Sequence, residues 1–392
     1  MMHIQKHIRL TVIGFICLAF AGCKQAFEPS LNSKITNYLV VDGIINCGND
    51  STTINLTRTV LLSQKQAVKV ETGASLSVEN DKGVFYKLTE TKKGIYQCAP
   101  LNLPLSDKYR LNIKTADGKV YQSTFVEAKV TPPIDDIVYD RTADGLNISV
   151  NAHDDNNKTI YYRWSYDETW KFHADVYSEK ESIGTSIINR VTQIYRCYRT
   201  EFLSRIILTS TQKLNSDVVY KRLLQFIPNR NERISEKYSI NVKQYALTKE
   251  GYEFWDNQQK NTEVLGGIFD AQPSELKGNI ICVSTPSEPV VGFVSVSTEA
   301  RKRIFITQAQ VNWEQPIRDG CGTLDTLRFR IQGVDLKIVE KYLYFKPGQS
   351  PIKIPVSEIT GAFNSIEGYT AASYECADCR LRGTVNVPPF WQ

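Results

Sequence analysis

The sequence predicts a mainly β protein: an N-terminal immunoglobulin-like or transthyretin-like β-sandwich, then a larger β-rich domain with one or two helices. Three observations predict it. Apolar residues alternate with polar ones at period two over many short stretches. Asp-Gly and similar turn signals separate those stretches. Only one segment, 248–262, carries clear helix signals.

The first strand is expected over 38–45. Residues 52–58 follow, with Ile54 and Leu56 on one face, and 74–79 place Leu76 and Val78 inward. Asn80-Asp81-Lys82-Gly83 turns the chain and 84–88 return. Tyr109, Leu111 and Ile113 alternate with polar neighbours, and Ala116-Asp117-Gly118 turns into 119–130. About seven short strands in about 95 residues suit a sandwich. Thr131-Pro132-Pro133 then breaks the pattern, because proline cannot donate to a ladder. Domains are therefore expected over 38–131 and 132–392. In the second, strands are expected at 146–150, 159–167, 204–210, 238–247, 279–283, 290–297 and 303–311. The run 290–296 is apolar on both faces and reads as central. The 248–262 helix has Thr248 as N-cap and Glu250 in its first turn, with Tyr252, Trp255 and Gln259 on one stripe. The tail from 347 onward reads as irregular.

Composition sets broad limits. With 42% apolar and 23% charged residues, neither a disordered chain nor a polytopic membrane protein fits. The N-terminus is an address. Lys6 and Arg9 precede a dozen almost wholly apolar residues, too short to span a bilayer, which needs about 20. Phe20-Ala21-Gly22-Cys23 resembles a bacterial lipobox, which makes residues 1–22 a lipoprotein signal peptide and Cys23 the lipidated first mature residue. An ordinary cleaved signal is the other reading. Residues 23–37 read as a polar tether to a membrane surface. Removing Lys6 and Arg9, and no acid, lowers the net charge from +5 to +3, too mild to indicate nucleic acid.

Export permits disulfides. Seven cysteines remain as candidates: Cys47, Cys98, Cys197, Cys282, Cys321, Cys376 and Cys379. An odd number allows at most three bridges, and Cys47 with Cys98 is the expected pair within the first domain. Cys376-Ala377-Asp378-Cys379 fits a structural disulfide setting, with a zinc site or a redox pair as alternatives.

Several motifs are shared with a known family. Tyr161-Tyr162-Arg163-Trp164 runs on to Glu168-Thr169-Trp170. Tyr245-Ala246-Leu247-Thr248, Tyr252-Glu253-Phe254-Trp255, Leu265-Gly266-Gly267-Ile268-Phe269-Asp270 and Gln272-Pro273 follow. Gly278-Asn279-Ile280-Ile281-Cys282, Pro289-Val290-Val291-Gly292-Phe293, the Cys376–Arg380 run, Gly383-Thr384 and Pro389-Phe390-Trp391 complete the set. In this order the sequence resembles the lipoprotein family known as domain of unknown function 4249, although Cys197-Tyr198 stands where relatives often have Cys-Trp. The resemblance implies a Gram-negative outer-membrane lipoprotein, often accompanying TonB-dependent transporter components. No reaction, and so no catalytic residue, comes with it.

Motifs that carry chemistry are sparse. No G-x-S-x-G, H-E-x-x-H or P-loop motif occurs. Beyond the signal only His153 and His173 remain, where a serine or cysteine triad usually needs a histidine base. His153 reads as a turn residue and His173 as a partly buried polar residue at a strand end. Asp154, Asp155, Asn156 and Asn157 could offer oxygens to calcium but lack EF-hand spacing. Asp167 and Glu168 form the one carboxylate pair to inspect for glycoside hydrolysis. Tyr162, Trp164 and Tyr166, with Trp170 beyond, share a strand face; they could stack on sugar or peptide, or fill a core. Arg301-Lys302-Arg303 reads as a hairpin tip. The expectation is a non-catalytic, lipid-anchored envelope protein without metal or cofactor, binding a ligand or a transporter partner. An envelope scaffold or adhesin, and then a carboxylate hydrolase, are the alternatives.

Overall fold

A computed structural model describes residues 37–60, 68–203, 205–263, 277–316, 318–331, 333–346 and 349–391. The alternation of the first hundred residues becomes one curled sheet. Strand Thr52–Arg58 buries every second side chain, Thr52, Ile54, Leu56 and Arg58, as the pleat dictates. Lys108–Lys114 does the same with Tyr109, Leu111 and Ile113. The sheet runs from Val120–Ser123 through Lys108–Lys114, Ser75–Asn80, Phe85–Lys92, Ile95–Cys98 and Thr52–Arg58 to Leu39–Asn46. Distant chain extends both ends. Ile280–Cys282 pairs with Val120–Ser123, while Val290–Gly292 and Ser295–Ser297 run parallel to Leu39–Asn46. Twelve strands thus form a nearly closed barrel around a core that includes Leu39, Leu56, Tyr96, Tyr109 and Tyr121.

A side chain closes the seam. Asn279 Nδ2 donates to the Val294 carbonyl at 3.0 Å, and its Oδ1 accepts from the Val294 amide at 2.9 Å, an amide standing in for a ladder residue. Gly278 permits the approach, since a Cβ there would lie 1.8 Å from the Gly292 carbonyl oxygen.

The 290–297 run is therefore not a central strand of the second domain. Its two apolar faces have different neighbours: Val290, Val294 and Val296 enter the barrel core, and Phe293 packs in a second cluster with Phe254 and Trp255. The Pro132 break marks where the chain leaves the barrel, but residues 280–297 return to it.

The second domain is a sandwich. Ile134–Arg141, Gly145–His153 and Val218–Pro228 form one sheet. Tyr161–His173, flanked by Arg196–Phe202 and Ile207–Ser210 on one side, continues to Lys237–Ala246 and Glu299–Thr307 in the other. One core lies between, including Ile148, Val150, Leu224, Ile227, Trp164, Phe172 and Ile240. The junction is pinned rather than slack. Thr131 Oγ1 accepts from the Ala246 amide at 2.9 Å, and Gln244 Nε2 donates to the Pro132 carbonyl at 2.8 Å.

The long helix spans Lys249–Glu263, and Thr248 Oγ1 accepts from the Gly251 amide at 3.2 Å, as a cap should. Its Tyr252 packs on Tyr161, its Phe254 on Phe293, and Arg163 lies 3.6 Å over the Trp255 ring. The basic run 301–303 is not a hairpin tip but the middle of Glu299–Thr307. There Arg303 pairs with Asp167 and stacks on Phe390. Nor is the tail irregular: Ile354–Thr360 and Ile366–Ala372 pair, and Asp325–Arg328 joins them. Register shifts at Pro355/Glu358 and Ile359/Thr360 hide their alternation from a period-two reading.

Candidate functional site

Most chemistry-bearing residues singled out in the sequence have a defined place among the described residues, and most of those are used by the fold. The signal peptide, Cys23 and the tether up to residue 36 lie outside the described residues, as do Leu265–Asp270 and Gln272-Pro273 of the shared motifs. Tyr162, Trp164, Tyr166 and Trp170 do not form an exposed stacking ladder: their relative exposures are 0, 1, 5 and 3%. They fill the space between the sheets, and each polar atom finds a partner there. Tyr162 donates to Asp217 at 2.9 Å, Trp164 to Gln244 Oε1 at 2.9 Å, Tyr166 to the Leu224 carbonyl and Trp170 to Glu232. Burial raises the Asp217 carboxyl above its ordinary value.

Asp167 and Glu168 cannot act together on one bond. As neighbours on a strand they point to opposite faces. Asp167 accepts from Asn241 and pairs with Arg303, while buried Glu168 accepts from Tyr238 at 2.8 Å and pairs with Arg233 at 3.0 Å. The acidic turn is spent on backbone. Asp154 accepts from the amides of Asn156, Lys158 and Thr159, and Asn157 Oδ1 from that of Asp217. Exposed His153 pairs with Asp135 at 2.7 Å and Asp155 at 3.4 Å, and the Asp135 hydrogen bond raises its pKa. His173 is half-buried, bonds the Ala174 carbonyl through Nδ1 and stacks on Tyr195. Among the described residues no group of three His, Cys, Asp or Glu is placed to hold a metal ion.

The cysteines depart from the expected pairing. Cys197 bonds Cys379 and Cys321 bonds Cys376, with Cα separations of 5.7 and 5.4 Å. Cys47, Cys98 and Cys282 are free thiols, so the expected Cys47–Cys98 bridge is absent. The Cys47 sulfur turns toward the Lys129 carbonyl, and burial pushes its thiol up to about 11. Each half of the CxxC thus staples a different element. Beside one staple, Gly383 lets the tail lie against Tyr198, where a Cβ would sit 2.5 Å from the Tyr198 carbonyl oxygen. Tyr198 and Thr384 exchange backbone hydrogen bonds there, and the Tyr198 ring packs edge-on to Trp391.

What the individual residues do not supply, the joint between the domains does. A cleft of about 830 Å³ opens there. The barrel contributes Lys108, 124–127, Lys129, 277–279 and Phe293; the second domain contributes Lys158, Ile160, Tyr161 and the first turns of the long helix. Phe125 and Ile160 are partly exposed, at 38 and 37%. Five lysines, Lys108, Lys129, Lys158, Lys249 and Lys277, face three glutamates, Glu127, Glu250 and Glu253, on its lining. Glu127 pairs with Lys108 and Lys129, and Glu253 with Lys249. The sequence reading missed this site because its walls come from segments far apart in the chain. The helix cap at Thr248 and the Pro132 junction were its only local signals.

The fold and the cleft define a mainly β protein in which a nearly closed barrel and a sandwich meet at a concave joint. The chain belongs to the family described as domain of unknown function 4249, whose model matches residues 24–303. No curated protein matches it. Among solved structures, a cycloalternan-degrading enzyme from Trueperella pyogenes is 10% identical over 53% of this chain and 26% of its own, with a TM-score of 0.15. Chitinase ChiA74 from Bacillus thuringiensis is 12% identical over 44% and 29%, with a TM-score of 0.12. The chain therefore spans less than a third of either structure's length.

Proposed function

We propose that this is a lipid-anchored envelope protein that binds a ligand or partner at the interdomain cleft, as an accessory to a TonB-dependent transporter. The cleft is the observation that carries the binding reading. Ligand sites favour domain joints, and its volume falls in the usual range of roughly 300–1,000 Å³. The likeness of Phe20-Ala21-Gly22-Cys23 to a lipobox supports the anchor, and the outer membrane and the transporter are what the sequence resemblance implies. The fold's own use of Asp167, Glu168 and the acidic turn weighs against a carboxylate hydrolase built on them.

The test is a crosslinked pulldown from detergent-solubilised envelope, with and without Cys23→Ala. The expected result is co-recovery of a transporter, and loss of membrane association in the variant. Recovery of this protein alone would count against the partnership. A variant that stays membrane-bound after signal cleavage would remove the anchor. A scaffold or adhesin role is the second reading. The outward face of Val218–Pro228 favours it, because Tyr220, Leu223 and Phe226 are exposed there.

A further inference from the structure

Lys158 and Lys277 reach the cleft from opposite walls, one from the turn that precedes strand Tyr161–His173, the other from the segment that leads into the barrel strand Ile280–Cys282. Both are exposed, and neither side chain has an ion pair or hydrogen-bond partner among the described residues. The other lysines of the lining differ. Lys108 and Lys129 share Glu127, and Lys249 has Glu253. Among the described residues, Glu250 is the one lining carboxylate without an ion pair. Positive charge therefore exceeds negative at this joint by two lysines, although the chain as a whole is only mildly basic. The lining also carries Phe125 and Ile160, which are exposed, and Tyr161, Phe254 and Phe293, which are buried; Tyr161 packs on Tyr252, Phe254 on Phe293, and Arg110 lies 4.6 Å over the Phe125 ring. Phe125 and Ile160 offer exposed apolar surface to a ligand's apolar body, and a cation beside a partly desolvated surface favours an anion more than it would in open water.

We propose that the cleft takes a ring-bearing anion, with its apolar body against Phe125 and Ile160 and its carboxylate or phosphate held by Lys158 and Lys277. The inference rests on the cleft being a binding site and adds the class of ligand. Polar backbone and Asn279 at the barrel seam border the same cleft, so an occupant there also touches the closure of the barrel.

The full chain, held in nanodiscs of neutral phosphatidylcholine, is titrated calorimetrically with 1-naphthyl phosphate, 1-naphthoate and uncharged 1-naphthyl glucoside, with empty nanodiscs as control. Saturable binding of either anion is expected, at least tenfold tighter than the glucoside and weakened by salt. The Lys158→Ala/Lys277→Ala double variant is expected to bind the anion about tenfold more weakly. Its circular dichroism and thermal midpoint should stay unchanged, since neither lysine has a partner to lose among the described residues. Anion binding unchanged in that variant overturns the assignment. Glucoside binding as tight as the anions' overturns the charge preference and leaves the cleft reading standing. Absence of binding by all three probes overturns both.

Discussion

At the scale of single residues, the aromatic stripe shows how burial decides between two readings of one pattern. Trp164 is buried on all sides and its Nε1 is satisfied by Gln244, whose amide in turn holds the Pro132 carbonyl. Trp164→Ala would leave a cavity and an orphaned amide, and is expected to cost about 3–5 kcal/mol in urea denaturation. A loss under about 1 kcal/mol would mean that the ring is not core. His153 tests the surface electrostatics. Its folded-state pKa is raised by Asp135, so its contribution is fully present below the unfolded value and is lost as pH rises through the folded one. An NMR titration should place the imidazole above its ordinary value of about 6.5, and Asp135→Asn should bring it down. An unshifted imidazole in the parent protein would refute the contact. The alternation of residues 161–172 was legible in the sequence; which face was wet was not, because that depends on Val218–Pro228, about 50 residues further along the chain.

Elements were legible where their periodicity was local. The strands around Ile54, Leu76 and Leu111, the turns at Gly83 and Gly118 and the Thr248 cap all stand where the sequence places them. Val218–Pro228 was missed because Lys221, at φ 46°, and register shifts in its pairing interrupt the alternation. Disulfide partners are a property of space and not of spacing. The two bridges join Cys197 to Cys379 across 182 residues and Cys321 to Cys376 across 55. Peptide mapping of the unreduced protein should recover those two linkages, with Cys47 and Cys282 alkylated only after denaturation. A Cys47–Cys98 or Cys376–Cys379 peptide would contradict the assignment. Replacing Cys197 and Cys379 together with serine should cost about 2–5 kcal/mol, read as a lowered denaturation midpoint, since the bridge ties the tail to the strand Arg196–Phe202.

At the scale of the molecule, the two domains are less separable than the Pro132 break implies. The chain leaves the barrel at residue 131, builds most of the sandwich and the long helix, and returns to supply three barrel strands before Glu299–Thr307 completes the sandwich. Leu39–Asn46 has two of those returning strands on its open side, and Val120–Ser123 has the third. No linear cut between the domains keeps both whole. A fragment ending at residue 131 would expose two strand edges and the apolar face that Val290, Val294 and Val296 cover. It is expected to aggregate or to show fast amide exchange over 39–46 and 120–123, whereas the intact chain should protect both. Adding residues 277–298 as a separate peptide should restore part of that protection. The same interlock accounts for the cleft: a barrel completed by chain that has just left the helix must keep helix and seam side by side, and Asn279 stands where they meet. Asn279→Ala removes both seam hydrogen bonds and is expected to cost about 1–3 kcal/mol. In hydrogen exchange its effect should centre on Val290–Gly292 and Ile280–Cys282, with the sandwich core unchanged. A variant whose exchange rises uniformly, or not at all, would show that the seam is closed by something other than this side chain.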